Sequence, residues 1–280
     1  MGQTLSIRAQ TATSRPLPQE ILDLIIDHLC AERTTLHACC LVSKSWIPRT
    51  RKHLFAYIQF NPTDRPMIQS WKRTFPDPSN SPAHYVSTLS LHGIHANTLT
   101  DLGAGSWIRS FNCVGTLHAG LKFSVLGQVS LVQLHGFLPT LKSLYLSLTN
   151  IPLSEVFNLV CSFPLLEDLE LFTYGSASDI DDWDPPSTSP KLTGFLQLGL
   201  GLPPFARRLC DLPGGLRFSK MKLWCDNDVA STMDLVSRCS STLESFTVYC
   251  NIASTFTLAS VIGQHLTAGC ECRHAWGAFA

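Results

Sequence analysis

The chain has 280 residues, of which 45% are hydrophobic and 15% are charged, a composition that favours a globular protein with a sizeable core over a disordered one. Lys plus Arg and Asp plus Glu both number 21, so the formal net charge is zero. No overall field attracts nucleic acid or an anionic membrane, and we expect neither polyanion as a partner. No run of about 18 apolar residues is present, so we expect no transmembrane segment.

The cysteines indicate a reducing compartment. Eleven are present, an odd number at irregular intervals, and the N-terminus lacks the apolar segment of a secretory signal. We therefore expect reduced thiols, mostly buried, in a cytoplasmic or nuclear protein. The segment CECRH at 270–274 places Cys270, Cys272 and His274 close together, but without a distant second pair of ligands they make a poor tetrahedral set, and we expect no metal.

The first six residues, MGQTLS, match the pattern for N-myristoylation of Gly2. The alternative is a disordered polar tail over residues 1–15, because so short a pattern recurs by accident. A single acyl chain gives only marginal membrane binding, so an acylated Gly2 would imply weak, myristoyl-assisted membrane association.

An N-terminal module of three short helices is predicted next. In LPQEILDLIIDHL (17–29), Ile21, Ile25 and Leu29 recur at intervals of four, as on one face of an amphipathic helix. Thr34 or Thr35 is expected to cap a second helix, and a third segment follows Ser43. A module of this size buries too little surface to be very stable alone, which predicts that it docks on a partner.

Two parts of this module, LPQEIL at 17–22 and LVSKSW at 41–46, resemble an F-box, and the resemblance covers residues 16–57. It implies binding to the Skp adaptor subunit of a cullin-RING ubiquitin ligase. The contact positions of the family fall on Leu17, Pro18, Ile21, Leu41, Val42 and Trp46. Some of these positions also hold the core of the module, and the sequence does not separate the two roles. A generic three-helix cap on a larger domain is the alternative.

Residues 58–84 are predicted to be a proline-rich linker, because the prolines between Asn61 and Pro82 break regular structure. The stretch MIQSWKRTF within it is compatible with a helix. Its Trp71, together with Phe75, indicates that part of the segment packs against a neighbour.

A pattern x-x-L-x-L recurs over residues 85–280. The clear copies are VSTLSL (86–91), LKSLYL (141–146), LEDLEL (166–171), FSKMKL (218–223) and LESFTV (243–248), and the weaker ones are IRSFNC (108–113) and FLQL (195–198). From residue 146 onward the copies recur at 25 to 27 residues, which is within the range of leucine-rich repeats. Each copy reads as a short strand with one buried face, and helices are predicted between strands at 153–163 and 227–239.

The repeats resemble degenerate leucine-rich repeats, and the whole chain is similar to F-box-like proteins of the fungal type. This implies an α + α/β fold, in which a small N-terminal three-helix F-box is followed by an irregular leucine-rich repeat α/β solenoid. An ordinary α/β domain with leucine-rich strands is the alternative, because most copies lack the usual asparagine. The segment HAWGAFA at the C-terminal end has no polar cap such as solenoids need. A truncated or alternatively spliced chain is therefore a further alternative.

The resemblance implies a substrate-recognition adaptor of a Skp-cullin-F-box ubiquitin ligase, in which the F-box binds the Skp adaptor and the repeats bind a protein substrate. No nucleophile elbow, zinc helix, P-loop or complete dinucleotide fingerprint is present, so we expect no catalytic residues and no cofactor. The alternatives are a scaffold that binds the Skp adaptor without delivering ubiquitin, and a self-contained enzyme on an α/β fold.

The repeat register predicts the substrate face. The two apolar residues of each L-x-L strand point inward, so the residues between and beside them point to the opposite, concave face. The aromatic and charged positions on that face are our candidate substrate-binding residues: Tyr145, Asp168, Glu170, Phe172, Lys220, Lys222, Trp224 and Tyr249. The alternative is that a loop or the C-terminal tail covers these rings.

Overall fold

The computed structural model describes residues 17–61, 65–95, 107–122, 131–137, 139–149, 152–174, 189–225, 229–250 and 271–275. The candidate acylation site Gly2 and the cysteine at 270 lie outside these ranges. The chain divides into two compact units, Met1–Leu54 and Phe55–Ala280, here called the first and second units. In the part of the chain that is described, no helix is both long and apolar enough to cross a membrane.

Over residues 17–54, the described part of the first unit, there are three α-helices, α1 (Gln19–His28), α2 (Arg33–Val42) and α3 (Ile47–Leu54), with a 3₁₀ turn at Lys44–Trp46 before α3. The amphipathic helix predicted over 17–29 is confirmed by α1. The predicted caps of the second helix are wrong, because α2 begins directly after Glu32 and both threonines lie inside its first turn. There the Thr35 hydroxyl donates to the Glu32 carboxylate at 2.9 Å.

A small core and one ionic cluster hold the first unit together. In the described part of the unit, the buried residues are Ile26, Leu36, Cys39, Thr50 and Leu54. The buried Thr50 hydroxyl donates to the carbonyl oxygen of Trp46 at 2.7 Å, which satisfies its hydrogen-bonding capacity.

In the second unit, nine described strands form one parallel sheet whose order follows the chain. The strands are β1 (Tyr57–Phe60), β2 (Thr88–His95), β3 (Thr116–Lys122), β4 (Ser143–Thr149), β5 (Asp168–Tyr174), β6 (Phe195–Leu198), β7 (Lys220–Cys225), β8 (Ser245–Cys250) and β9 (Glu271–Ala275). Each strand pairs with the next strand in sequence. The chain is therefore a mixed fold of helix and strand, as predicted.

In the described connections between these strands there are four α-helices: α4 (Arg65–Thr74), α5 (Leu153–Cys161), α6 (Pro203–Cys210) and α7 (Val229–Cys239). The predicted helices at 153–163 and 227–239 are confirmed by α5 and α7. Helix α6 was not predicted, although Phe205 and Leu209 are buried at helical spacing and prolines occupy its first turn. Several other connections contain 3₁₀ turns, at Pro78–Asn80, Pro82–Tyr85, Trp107–Ser110 and Leu131–Phe137.

The core of the second unit lies on the leucine face of the sheet. Along β4, the buried Leu144, Leu146 and Leu148 alternate with partly exposed residues, and they share one apolar cluster with Val156 and Phe157 of α5. The cysteines at 161, 210 and 239 are buried in the same cluster. Burial raises the pKa of the Cys161 thiol to about 12, so this residue is an apolar filler and a poor nucleophile.

Strand pairing gives a more regular repeat than the sequence pattern. The residues paired in register with Leu146 across the whole sheet are Phe60, Leu91, Ala119, Leu171, Leu198, Leu223, Val248 and His274. From Phe60 onward, successive members of this column are 31, 28, 27, 25, 27, 25, 25 and 26 residues apart. The repeat copy assigned to IRSFNC (108–113) is wrong. Trp107–Ser110 forms a 3₁₀ turn, and the strand of this repeat is β3, which begins later, at Thr116.

The segment 58–84 also differs from the linker that was predicted. It contains most of β1 and all of α4, and its Trp71 is surrounded by aromatic rings. Four ring centroids lie 5.0 to 6.3 Å from that of Trp71, those of Phe55, Phe60, Phe75 and Phe111. Two of these rings, Phe60 and Phe111, also contact each other, with centroids 6.5 Å apart. The expectation that part of the segment packs is thus confirmed, and the prolines only separate its regular elements.

Candidate functional site

The first unit has an exposed apolar surface. Six of its large hydrophobic side chains are well exposed: Leu17 (56%), Ile21 (44%), Leu24 (56%), Ile25 (40%), Leu41 (89%) and Val42 (65%). In the rest of the described chain only Tyr57 and Leu200 are large, hydrophobic and comparably exposed. Exposed apolar residues concentrated on so small a unit indicate a protein-binding surface.

This surface includes most of the residues predicted to contact a Skp adaptor. Leu17, Pro18, Ile21, Leu41 and Val42 are exposed. The sixth predicted residue, Trp46, is only partly exposed. None of the six belongs to the buried core of the unit, so the structure separates surface from core where the sequence did not.

Sequence reasoning missed Leu24 and Ile25. Leu24 lies seven residues after Leu17 and three after Ile21, which is helical spacing and could have been found from the sequence. It was overlooked because an amphipathic pattern alone does not show which apolar side chains face the core. In α1, only Ile26 is buried.

The sequence LVSKSW explains why the end of α2 is exposed. Ser43 has an extended backbone, which ends α2, and its hydroxyl accepts from the backbone N–H of Ser45 at 3.3 Å to cap the following 3₁₀ turn. Leu41 and Val42 are therefore the last residues of α2, with no further turn of that helix beside them.

An ionic cluster joins α1 to α3. The Asp27 carboxylate accepts from the Arg49 guanidinium, with one contact to Nε of 2.6 Å, and lies 2.7 Å from His53 Nε2. The hydrogen bond from Arg49, aided by His53, holds the pKa of Asp27 well below its usual range. The same bond raises the pKa of Arg49. The cluster anchors α1, the helix that carries Ile21, Leu24 and Ile25, three of the six exposed apolar residues.

The sheet face opposite the leucines carries the second group of candidate residues. The pairs Ser143 with Asp168, Tyr145 with Glu170 and Lys222 with Thr247 are in register, as are Trp224 and Tyr249. The predicted strand alignment is thus confirmed, and the eight candidate residues lie on one face of the sheet.

Four aromatic side chains on this face, Tyr145, Phe172, Trp224 and Tyr249, form a continuous aromatic row. Successive ring centroids are 5.6, 5.5 and 4.4 Å apart, and the rings of Trp224 and Tyr249 are stacked. All four side chains of the row are partly buried. Contacts at these distances are favourable ring geometries, so the row is a preformed apolar platform.

Gly199 makes the middle of the row possible. It lies on the chain between Phe172 of β5 and Trp224 of β7, and its backbone N–H donates to the carbonyl of Leu171 at 2.8 Å. A Cβ at this position would be 2.9 Å from Phe172 Cδ1, closer than side chains tolerate. The missing side chain lets the Phe172 ring reach Trp224 across β6.

The acidic candidates are largely engaged within the sheet. The Asp168 carboxylate accepts from Ser143 Oγ and from the backbone N–H of Phe195, both at 2.7 Å, and so ties β5 to both neighbouring strands. Burial raises the pKa of Glu170, an effect that Lys222 opposes and Asp168 reinforces. Asp168 therefore has a structural role that sequence reasoning did not anticipate.

The basic candidates, by contrast, are exposed. Lys220 and Lys222 lie two residues apart on β7, on the same face as Trp224. The Nζ atom of Lys222 is 5.6 Å from the centroid of the Phe195 ring, which is within cation–π range. Phe195 was not among the candidates, although the same alternation places it on this face.

A crevice of about 20 Å³ opens beside Trp224, between Gly199 of the sheet and Pro203 of α6. It has room for one water molecule rather than for a substrate. Within the described ranges, no three His, Cys, Asp or Glu side chains are grouped so that they could hold a metal ion. A scan against known protein families found no match to this chain, and neither did a comparison with curated protein sequences.

Proposed function

We propose that the chain is a substrate-recognition adaptor of a Skp-cullin-F-box ubiquitin ligase. The first unit binds the Skp adaptor as an F-box, and the second unit, a leucine-rich repeat solenoid, binds a protein substrate. The observation that carries this proposal is the exposure of Leu17, Ile21, Leu41 and Val42, four apolar residues at the positions that the F-box resemblance assigns to the adaptor contact.

The energetics of the first unit support a partner at this surface. Fully burying one Leu or Val side chain contributes about 1.5 to 3 kcal/mol. A core as small as that of the first unit provides only modest folding stability, so a partner that covers several of these residues would add substantially to it. Leu41 and Val42 are adjacent at the end of α2, where a partner can cover both without displacing another helix of the unit.

The second unit supports the other half of the proposal. Nine parallel strands in chain order, recurring mostly every 25 to 28 residues, are typical of leucine-rich repeats. Such a protein would hold its substrate near the catalytic subunits of an assembled ligase and accelerate transfer by proximity, without donating chemical groups of its own.

The test replaces Leu41 and Val42 together by Asp in the full chain. Because both side chains are exposed, we expect unchanged melting temperature and circular dichroism, together with loss of the Skp adaptor in affinity purification. The matched control is Leu200→Asp, an equally abrupt change at an exposed apolar residue of the second unit, which should retain the adaptor. Undiminished adaptor binding by the Leu41→Asp, Val42→Asp variant would refute the proposal.

A scaffold that binds the Skp adaptor without delivering ubiquitin is the alternative. Co-purification of a cullin with the wild-type chain, and its loss in the Leu41→Asp, Val42→Asp variant, would favour the ligase. The adaptor without any cullin would favour the scaffold.

A further inference from the structure

We propose that the aromatic row, with Lys220 and Lys222, is a docking site for an unmodified acidic protein segment that also carries large apolar side chains. The inference rests on the proposed function only in naming the bound segment as part of a substrate. The binding itself requires no Skp adaptor.

The aromatic row lies where the core of the second unit does not require apolar side chains. Phe172, Trp224 and Tyr249 extend from the polar face of a sheet whose core lies on the other face, so the packing of the leucines does not require aromatic residues there. Leu200 follows Gly199 directly and is 46% exposed, and the Thr173 hydroxyl donates to its carbonyl at 3.2 Å. The platform therefore continues into an exposed leucine on a tethered turn.

The charged side chains beside the row differ in exposure: the two acidic ones are partly buried, and the two lysines are exposed. Both Asp168 oxygens accept hydrogen bonds from the sheet, and Glu170 is partly buried. Lys220 and Lys222 are exposed and make no ion pair within the described chain. Lys222 also interacts with the Glu170 carboxylate, but of these four charged side chains only the two lysines are exposed, so the accessible charge is positive. Carboxylates beside apolar side chains complement it.

The dimensions fit a short extended segment. Neighbouring strands are about 4.8 Å apart, so the row from Tyr145 on β4 to Tyr249 on β8 spans roughly 19 Å, the length of about six extended residues. Two lysines are too few for nucleic acid, since a protein that binds it through phosphates commonly makes about 6 to 10 such contacts. A protein segment is therefore the occupant that this site favours.

The experiment uses the full chain and fluorescein-labelled synthetic peptides, read by anisotropy. The probe contains alternating Glu and Phe between Gly-Ser ends. One comparison peptide has Lys in place of Glu, another has Ser in place of Phe, and a third is a phosphoserine peptide with Ser(P) in place of Glu. We expect the Glu-Phe peptide to bind at least about tenfold more tightly than the Lys and Ser versions. It should bind no more weakly than the phosphopeptide. Its affinity should fall as the salt concentration rises above about 0.1 M.

Two variants locate the site. Lys220→Glu with Lys222→Glu should weaken binding of the Glu-Phe peptide about tenfold or more, and since both side chains are exposed this change should not affect folding. Trp224→Ala should weaken it similarly. The matched control is Lys191→Glu, which reverses an exposed lysine outside every strand and should change the affinity less than about twofold.

Several results would overturn the inference: no binding of the Glu-Phe peptide to the wild type, equal binding of the Lys version, tighter binding of the phosphopeptide, tighter binding of a single-stranded oligonucleotide, or unchanged affinity in the lysine variant. Skp adaptor binding is measured on the same variants. Its absence in the wild type would sink the proposed function and leave the peptide result standing, so the two failures can be told apart.

Discussion

Among single residues, Asp27 bridges two helices of the first unit, because its carboxylate contacts both Arg49 and His53 of α3. Its folded-state pKa is lowered, so its contribution to stability is complete above the usual value of 3.8 and is lost as the pH falls below it. We expect the urea midpoint of the first unit, followed by the methyl resonances of Ile26, to fall in the wild type as the pH is lowered from about 4 to about 2. Asp27→Asn should already have a lower midpoint at neutral pH and a flatter profile.

The control for this prediction is Asp23→Asn on the same helix. The Asp23 carboxylate accepts from Gln19 Nε2 at 2.7 Å, an exposed contact within α1, and does not bridge to another helix through a described hydrogen bond. Its replacement should leave the pH profile as in the wild type. A profile that is equally steep in wild type and Asp27→Asn would show that other groups control the acid transition.

Asp168 illustrates a candidate whose role is structural. Asp168→Ala removes the acceptor for Ser143 Oγ and the Phe195 N–H, and we expect it to lower the free energy of unfolding by about 2 kcal/mol. Asp168→Asn keeps an oxygen for the Phe195 N–H and can donate to the Ser143 hydroxyl, so it should lower the free energy of unfolding by about half as much or less. Urea denaturation checks both, and equal stability of wild type and Asp168→Ala would contradict the assignment.

At the scale of elements, the sequence predicted strands where large apolar residues alternate, including Met221 with Leu223 and Phe246 with Val248, and failed at β3, where an alanine interrupts that pattern. In LKSLYL and LEDLEL the inward residues are all leucine, and the register came out correctly. Strand β3 has Leu117 and Ala119 inward with Gly120 beside them, a weaker signal than the nearby Ile108 and Phe111, which are buried in a turn. Burial alone does not distinguish a strand from a packed 3₁₀ turn.

The candidate site was predictable to the same extent. Alternation at period two placed Phe172, Trp224 and Tyr249 on one face, because that step depends only on strand geometry. The ring contacts across Gly199 depend on side-chain rotamers, and the engagement of Asp168 depends on a backbone N–H of the neighbouring strand β6. Neither follows from the spacing of residues along the chain.

Gly199 tests the construction of the row. Gly199→Ala places a methyl group 2.9 Å from Phe172 Cδ1 and 3.3 Å from its Cα, and the backbone cannot give way as a flexible side chain would. We expect a loss of about 1 to 3 kcal/mol in unfolding free energy and a reduced near-ultraviolet circular dichroism signal from Trp224 and Phe172. Gly115→Ala is the control, since its Cβ would meet only two backbone oxygens, at 4.0 Å. Equal stability of the two variants would mean that β6 accommodates the methyl group.

At the scale of the whole molecule, the two units differ in how much core they possess. Five buried residues hold the first unit, whereas the cluster of the second unit extends through successive strands and helices from Phe60 to Val248. Small domains bury a smaller fraction of their surface than large ones and are correspondingly less stable, and the described helices of the first unit lie within residues 17–54 alone. The first unit therefore has stability to gain from binding, and the second has little.

This difference gives the last prediction, measured by hydrogen exchange on the full chain. Amides of α1 and α2 should exchange faster than those of β4 and β5 in the free protein, because opening of the small unit does not require unfolding of the sheet. A Skp adaptor at about 100 times its Kd should protect α1, α2 and α3 by up to about 2.7 kcal/mol, since it binds only the folded unit. The strands should be unaffected, and Leu41→Asp with Val42→Asp should abolish the protection. Equal protection of helices and strands on adding the adaptor would instead mean that the chain opens as one cooperative body.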